Sequence, residues 1–311
     1  MTFAELLARG PVVLDGGLAT ELERLGHDLG DSLWSARLLR DRPGDIEVVH
    51  RAYFAAGADI AITASYQATY EGFAAAGFGP EETSRLLALS VELAGRARAA
   101  VRPEGLVAAS VGPYAVVLAD GSEYTGDYGA ASGEEIAAVH RPRIAALLAA
   151  GPDLLAFETI PSLREVESLT GLLGEFPGAE AWMTFACRDG ERLSDGNPIE
   201  DAVRLAALSP AIVAVGVNCT APEHIDSLLE RARACTDLPL LVYPNHGRTW
   251  HARDGEWRGP GVDGFPRATV AGWRERGAQA IGGCCGIGPD AIAGVARVLR
   301  NGGRDERQVR H

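Results

Sequence analysis

The 311-residue chain contains no lysine, and all 29 of its basic residues are arginine. That absence excludes Schiff-base aldolases, pyridoxal enzymes and P-loop nucleotidases, each of which relies on a lysine amine. Surplus positive charge is missing as well. Forty-two acidic residues leave a formal net charge of −13, which argues against nucleic acid or an anionic membrane as a partner and mildly favours cationic ligands. No run of about eighteen apolar residues occurs, so no membrane span is expected. The opening MTFAELLARGP lacks the basic flank and apolar stretch of a signal peptide. There is no internal repeat, low-complexity tract or linker. The five cysteines are odd in number and lack the spacing of a disulfide framework. A reducing cytoplasm, with thiols free for metal or catalysis, is the expected setting.

What the chain does have is alternation. Eight short apolar runs, at 11–14, 60–64, 106–110, 154–157, 181–186, 212–217, 240–242 and 280–282, suit strands buried on both faces. Segments with helical period lie between them at 85–98, 140–148, 163–173, 202–208, 223–232 and 290–299. Strand–helix alternation kept up through the whole length predicts a single α/β domain, a (β/α)₈ TIM barrel over residues 1–300. Residues 301–311 read as a polar, arginine-rich tail without fixed structure.

Most of these runs stop at a polar or glycine-rich cluster: Asp15-Gly16-Gly17, Ser65-Tyr66-Gln67, Gly112-Pro113-Tyr114, Glu158-Thr159, Asn218-Cys219, Pro244-Asn245 and Gly283-Cys284-Cys285. In a TIM barrel the C-terminal strand ends share one pocket, so residues remote in sequence would meet there. Cys219 closes the sixth run and Cys284-Cys285 the eighth, on strands that are next-but-one neighbours. Three cysteines with an open fourth position form the arrangement of a catalytic Zn²⁺ site. A strained disulfide between Cys284 and Cys285 is the competing reading. Cys187 and Cys235 read as small buried hydrophobes.

Other residues carry two readings each. Asp15 is a ligand for a substrate ammonium or a turn residue before Gly16-Gly17. Glu158 is a site carboxylate, a helix N-terminal residue or half of a surface ion pair. Gly16 and Gly17 either seat a substrate carboxylate through their N–H groups or only make a tight turn. Thr63, Ser65 and Tyr66 follow the second strand and should border the substrates. Tyr66 or Tyr114 could present an aromatic face to a cation. His50, His140, His224, His246 and His251 show no recurring ligand spacing and are left as surface or helix residues.

The order of Asp15-Gly16-Gly17, Glu158-Thr159-Ile160-Pro161, Gly216-Val217-Asn218-Cys219-Thr220 and Gly282-Gly283-Cys284-Cys285 resembles the homocysteine S-methyltransferase family, which includes betaine-homocysteine methyltransferase. The likeness spans nearly the whole chain. It is greatest to the branch using S-methylmethionine or S-adenosylmethionine, through DSLWSARLL from Asp31, TASYQATYEGF from Thr63 and SVGPYAVVLADGSEYTGDY from Ser110. The resemblance implies a (β/α)₈ barrel, zinc held by Cys219, Cys284 and Cys285, and Asp15 and Glu158 on the ammonium of homocysteine, with Asn218 among the substrate-binding positions. It implies methyl transfer from a sulfonium to the homocysteine thiolate, with no protein nucleophile. Two departures stand out: Gly286, where a larger residue is expected after the cysteine pair, and His246-Gly247 in a variable loop. A metal-free (β/α)₈ lyase or isomerase using Asp15 and Glu158 is one alternative. A non-catalytic homocysteine-binding subunit is another, against which the one-domain length counts.

Overall fold

Each of the eight apolar runs forms a strand in the computed structural model, which describes residues 1–30, 34–251 and 256–308. Asp31, Ser32 and Leu33 of the DSLWSARLL stretch lie outside the described residues. The strands are β1 (Val12–Val13), β2 (Ile60–Ile62), β3 (Leu106–Val111), β4 (Leu154–Ile160), β5 (Ala181–Phe185), β6 (Ile212–Asn218) and β7 (Leu240–Tyr243). A small antiparallel hairpin follows, β8 (Thr249–His251) with β9 (Glu256–Arg258), before the last barrel strand, β10 (Ala278–Ile281). The eight-stranded sheet runs in the order β1-β10-β7-β6-β5-β4-β3-β2, and its neighbouring strands pair in parallel.

The ring closes between β1 and β2 through a bridge from Leu14 to Ile60. Asp59 reinforces the closure: its carboxylate accepts from the Val13 N–H at 2.9 Å, and its own N–H donates to the Val13 carbonyl. The expected TIM barrel is therefore the fold.

Side chains alternate across the strands as the pleat requires. Leu106 and Ala108 belong to the inner cluster with Leu154, Ala156, Trp182, Ala214, Tyr243 and Ala280. Val107 and Ala109 belong to the outer cluster under the helices. Small alanines inside leave room for Trp182 and Tyr243, whose rings meet edge-on at 6.5 Å. The N-terminal helix Phe3–Leu7, started by a Thr2–Glu5 capping box, sends Phe3 and Leu6 into this inner cluster.

The helix-period segments all form helices, most of them longer than their sequence signal. The segment at 85–98 lies in Pro80–Val101, and that at 140–148 in Gly133–Ala149, which opens with a Ser132–Glu135 capping box. Helices Pro43–Ala56 and Arg267–Glu275 are additional to the expected set. The tail expected beyond Asn301 falls where side chains are not described: the backbone continues as helix to Gln308, and 309–311 lie outside the described residues. Among the described residues no helix is long and apolar enough to cross a membrane.

Candidate active site

The three cysteines meet at the C-terminal rim of the barrel. β6 ends at Asn218, and Cys219 turns sharply out of the strand with φ +48°. That turn is fixed by bonds from its N–H to the Tyr243 carbonyl at 3.2 Å and from Asn245 Nδ2 to its own carbonyl at 3.1 Å. Cys284 follows β10 through Gly282-Gly283, and its N–H donates to the Pro244 carbonyl at 2.8 Å. Sγ of Cys219 lies 3.9 Å from that of Cys285, and Sγ of Cys284 lies 4.0 Å from it. All three sulfurs fall within 4.8 Å of one another.

A disulfide needs an S–S distance of about 2.05 Å, so the competing pairing of Cys284 with Cys285 does not form and all five thiols are free. Tetrahedral thiolates bound at about 2.3 Å would stand about 3.8 Å apart, which is close to the spacing found. The donor set therefore fits a soft divalent metal such as zinc. The thiols constrain one another: hydrogen bonds from Cys219 and Cys284 lower the Cys285 pKa, while bonding to neighbouring thiols raises that of Cys219.

The glycines around this cluster are set by close approach. A Cβ on Gly16 would lie 2.3 Å from the Ile287 carbonyl oxygen, and one on Gly17 would lie 2.8 Å from that of Cys284. The turn after β1 thus rests directly on the cysteine loop. The Gly17 N–H is already bonded to the Ile287 carbonyl at 2.9 Å, so at Gly17 the turn role, not the seat for a carboxylate, takes the backbone donor. Gly286 has φ +81°, and a Cβ there would lie 2.3 Å from Cδ2 of His246. The two departures noted in the sequence are one feature: the buried His246 ring fills the space that a larger residue 286 would need.

Asp15 and Glu158 face the same open cleft that the cysteines also line. Asp15 is buried, and its Oδ2 accepts from the Ile62 N–H at 2.8 Å instead of serving its own turn. Burial pushes its pKa well up, and the charge of Glu158 adds to this. Glu158 sits inside β4, not at a helix start, and has no ion pair among the described residues. Burial raises its pKa to about 8, against hydrogen bonds from the Ser110 and Tyr243 hydroxyls.

Adjacent strand residues normally face opposite ways, yet Glu158 and Thr159 both line the cavity. An irregularity in the β4–β5 register and the positive φ of Thr159, +62°, account for it. Asn218 holds that bulge: its Oδ1 accepts from the Thr159 N–H at 2.7 Å and its Nδ2 donates to Thr159 Oγ1 at 2.8 Å.

The remaining expected residues divide. Thr63 and Tyr66 line the cavity. Ser65 and Asn218 do not; the Ser65 hydroxyl donates to the Ser110 carbonyl at 2.7 Å. Tyr114 packs edge-on against Tyr128 at 5.3 Å, away from the cleft. His50 and His140 lie in helices but are buried, not on the surface. Cys187 is a buried core residue, and Cys235 packs partly against the same cluster.

Sequence reasoning missed Glu123, Tyr124 and Tyr243, which also line the cavity. It missed Arg143 as well, whose buried guanidinium donates to the carbonyls of Gly112 and Ser65 at 2.9 and 2.7 Å and to that of Tyr66. Tyr243 lies one residue past the seventh apolar run and was within reach of a longer window. Glu123 and Tyr124 sit in a turn, Ser122–Tyr124, with no periodic signal.

A TIM barrel with three converging thiols and two buried carboxylates at its catalytic rim defines a class, and the family model described as homocysteine S-methyltransferase matches residues 12–299. The chain belongs to that family of methyltransferases. Among curated relatives, a homocysteine S-methyltransferase of Escherichia coli is 48% identical, over 91% of this chain and 94% of that protein. The homocysteine S-methyltransferase YbgG of Bacillus subtilis is 46% identical, over 93% and 95%. The crystal structure of the E. coli homocysteine methyltransferase MmuM in its metallated form superposes with a TM-score of 0.85 at 46% identity, covering 95% of this chain and 98% of that one.

Proposed function

We propose that this protein makes methionine by passing a methyl group from S-methylmethionine or S-adenosylmethionine to the thiolate of homocysteine, with Zn²⁺ held by Cys219, Cys284 and Cys285. The observation that carries the reading is the convergence of three sulfurs within 4.8 Å beside carboxylates that have no basic partner among the described residues. Zinc, when bound, is a Lewis acid that keeps a substrate thiol deprotonated at neutral pH. Relatives named for this activity, one of them solved in a metallated form, support the assignment.

Asp15 and Glu158 take the ammonium group of homocysteine. A buried carboxylate favours its charged form once a cation is delivered to it, so substrate binding draws the proton off Glu158. Asn218 acts one step back, holding the bulge that turns Glu158 and Thr159 into the cleft. Thr63 and Tyr66 border the substrates, and Gly16-Gly17 let the β1 turn close on the cysteine loop. A reducing cytoplasm suits a site built of free thiols.

The test measures methionine formed from homocysteine and S-methylmethionine by the reduced protein, alongside its metal content. About one zinc per chain is expected, with metal and activity both lost in Cys284→Ser. Full activity in that variant, or activity indifferent to chelators, would favour a metal-free lyase or isomerase instead. Homocysteine binding without any methionine would leave a binding subunit.

A further inference from the structure

Resting on the reading of the cleft as a thiol methyltransferase site, we propose that Glu123, with the aromatic faces of Tyr124 and Tyr66, forms the subsite for the sulfonium of the methyl donor and makes the enzyme selective for a cationic donor.

The cleft is unusual within this protein in how it treats carboxylates. Elsewhere the buried ones are paired: Asp59 with Arg102, and Glu165 with His140 at 2.8 Å. Asp15, Glu158 and Glu123 have no ion pair among the described residues, and none of those that line the cavity they share is an arginine or histidine. Asp15 and Glu158 are buried and Glu123 is half-buried; carboxylates withdrawn from water without a partner are costly, so the cleft is built to receive positive charge from its ligands. Asp15 and Glu158 suffice for the homocysteine ammonium. Glu123 is a third carboxylate, on a different segment of the same cavity wall.

The three carboxylates reach the cavity from different segments: Asp15 from the turn after β1, Glu158 from within β4, and Glu123 from the turn Ser122–Tyr124. Burial raises the Glu123 pKa, opposed by a hydrogen bond with Tyr124. Tyr124 lines the same cavity and keeps its ring partly exposed to solvent. Its segment is pinned by the Ser122 N–H, which donates to Asp120 Oδ1 at 2.9 Å. A carboxylate beside two aromatic rings attracts a sulfonium both by charge and through the ring faces.

The reaction fixes what this subsite should do. The C–S bond from the sulfonium to its methyl breaks and its electron pair stays on the donor sulfur. A new S–CH₃ bond forms from a lone pair of the acceptor thiolate, whose proton has gone to solvent. Cation and thiolate disappear together, leaving two neutral thioethers. Glu123 holds the donor cation in the complex and, while positive charge remains on its sulfur, in the transition state to a similar extent, so its effect belongs in KM and not in kcat.

Steady-state kinetics on Glu123→Gln decide the matter, with trimethylsulfonium ion as a competing probe lacking any amino-acid part. The expected result is a donor KM raised about tenfold, trimethylsulfonium inhibition weakened to a similar extent, kcat within about twofold of wild type and homocysteine KM unchanged. Tyr124→Phe should keep the wild-type donor KM and Tyr124→Leu should raise it. Wild-type donor KM and inhibition in Glu123→Gln would overturn the proposal, as would an equal rise in both substrates' KM, which marks a merely structural effect. If wild-type protein transfers no methyl group, the functional reading falls; calorimetry of trimethylsulfonium binding to wild type and Glu123→Gln then still decides the role of Glu123, equal affinity overturning it.

Discussion

Glu158 shows how a single residue sets stability against function. Its carboxyl titrates at about 8 in the folded protein against 4.5 as an ordinary glutamate. The folded chain thus holds the extra proton across that window, and the stability linked to it falls as pH rises through the folded value. Glu158→Gln keeps an acceptor for the Ser110 hydroxyl and removes the titration. Its melting temperature at pH 8, measured without ligands, should exceed that of wild type by about 3 °C. Homocysteine affinity should fall about thirtyfold, the scale of one lost charged hydrogen bond. In the wild type, homocysteine KM should drop as pH rises from 6 towards 8, because the ammonium binds the ionised form; a flat profile would remove Glu158 from the ammonium site. Gly286 gives a second residue-level expectation. Gly286→Ala should weaken metal binding by at least about 1 kcal/mol, through positive-φ strain and collision with His246. Adding His246→Ala should recover the part due to the collision, measured as chelator competition in a double-mutant cycle.

Among the elements, the helix Gly133–Ala149 does more than cover the sheet. His140 bonds Glu165, which also accepts from the Tyr114 N–H at 2.7 Å and from the Tyr128 hydroxyl. One turn on, Arg143 gathers the carbonyls of Gly112, Ser65 and Tyr66. Burial lowers its pKa to about 10, so it remains cationic at neutral pH. This helix therefore fixes the loops after β2 and β3 from behind the site. Arg143→Met should cost about 3 kcal/mol by denaturant unfolding, since three buried carbonyls lose their donor. Its surviving activity should show a raised donor KM, because Tyr66 is released. The strands were legible in the sequence because burial on both faces leaves continuous apolar runs. Helix Pro43–Ala56 was not picked out, although Pro43 at its first position and left-handed Gly57 after its end are ordinary boundary signals. Arg143 was illegible for a physical reason: an arginine at a helical position reads as solvent-facing, and only the tertiary fold supplies the carbonyls that bury it. The cysteines and Asp15 could be found because each sits at the end of a strand, where the barrel sends side chains to one place. Glu123 and Tyr124 could not, because a turn carries no period.

The barrel as a whole divides stability and chemistry between its two ends. Phe3 enters the inner cluster and meets the Trp182 ring at 6.1 Å, while none of the cavity-lining residues comes from the N-terminal helix. Phe3→Ala should cost about 3–4 kcal/mol of stability and leave kcat/KM unchanged at temperatures where the protein is folded. A large loss of activity at full folding would show that the inner core transmits to the rim. The net charge of −13 and a cleft walled by acids and thiols both favour a cationic donor meeting a thiolate.

The proposed chemistry stands on the three sulfurs at the rim holding zinc with a place left for the sulfur of homocysteine. X-ray absorption at the zinc edge tests it on the purified reduced protein. About three sulfur neighbours at about 2.3 Å are expected, rising to about four when homocysteine is added. Protein without zinc, or a sulfur count that homocysteine leaves unchanged, would contradict it.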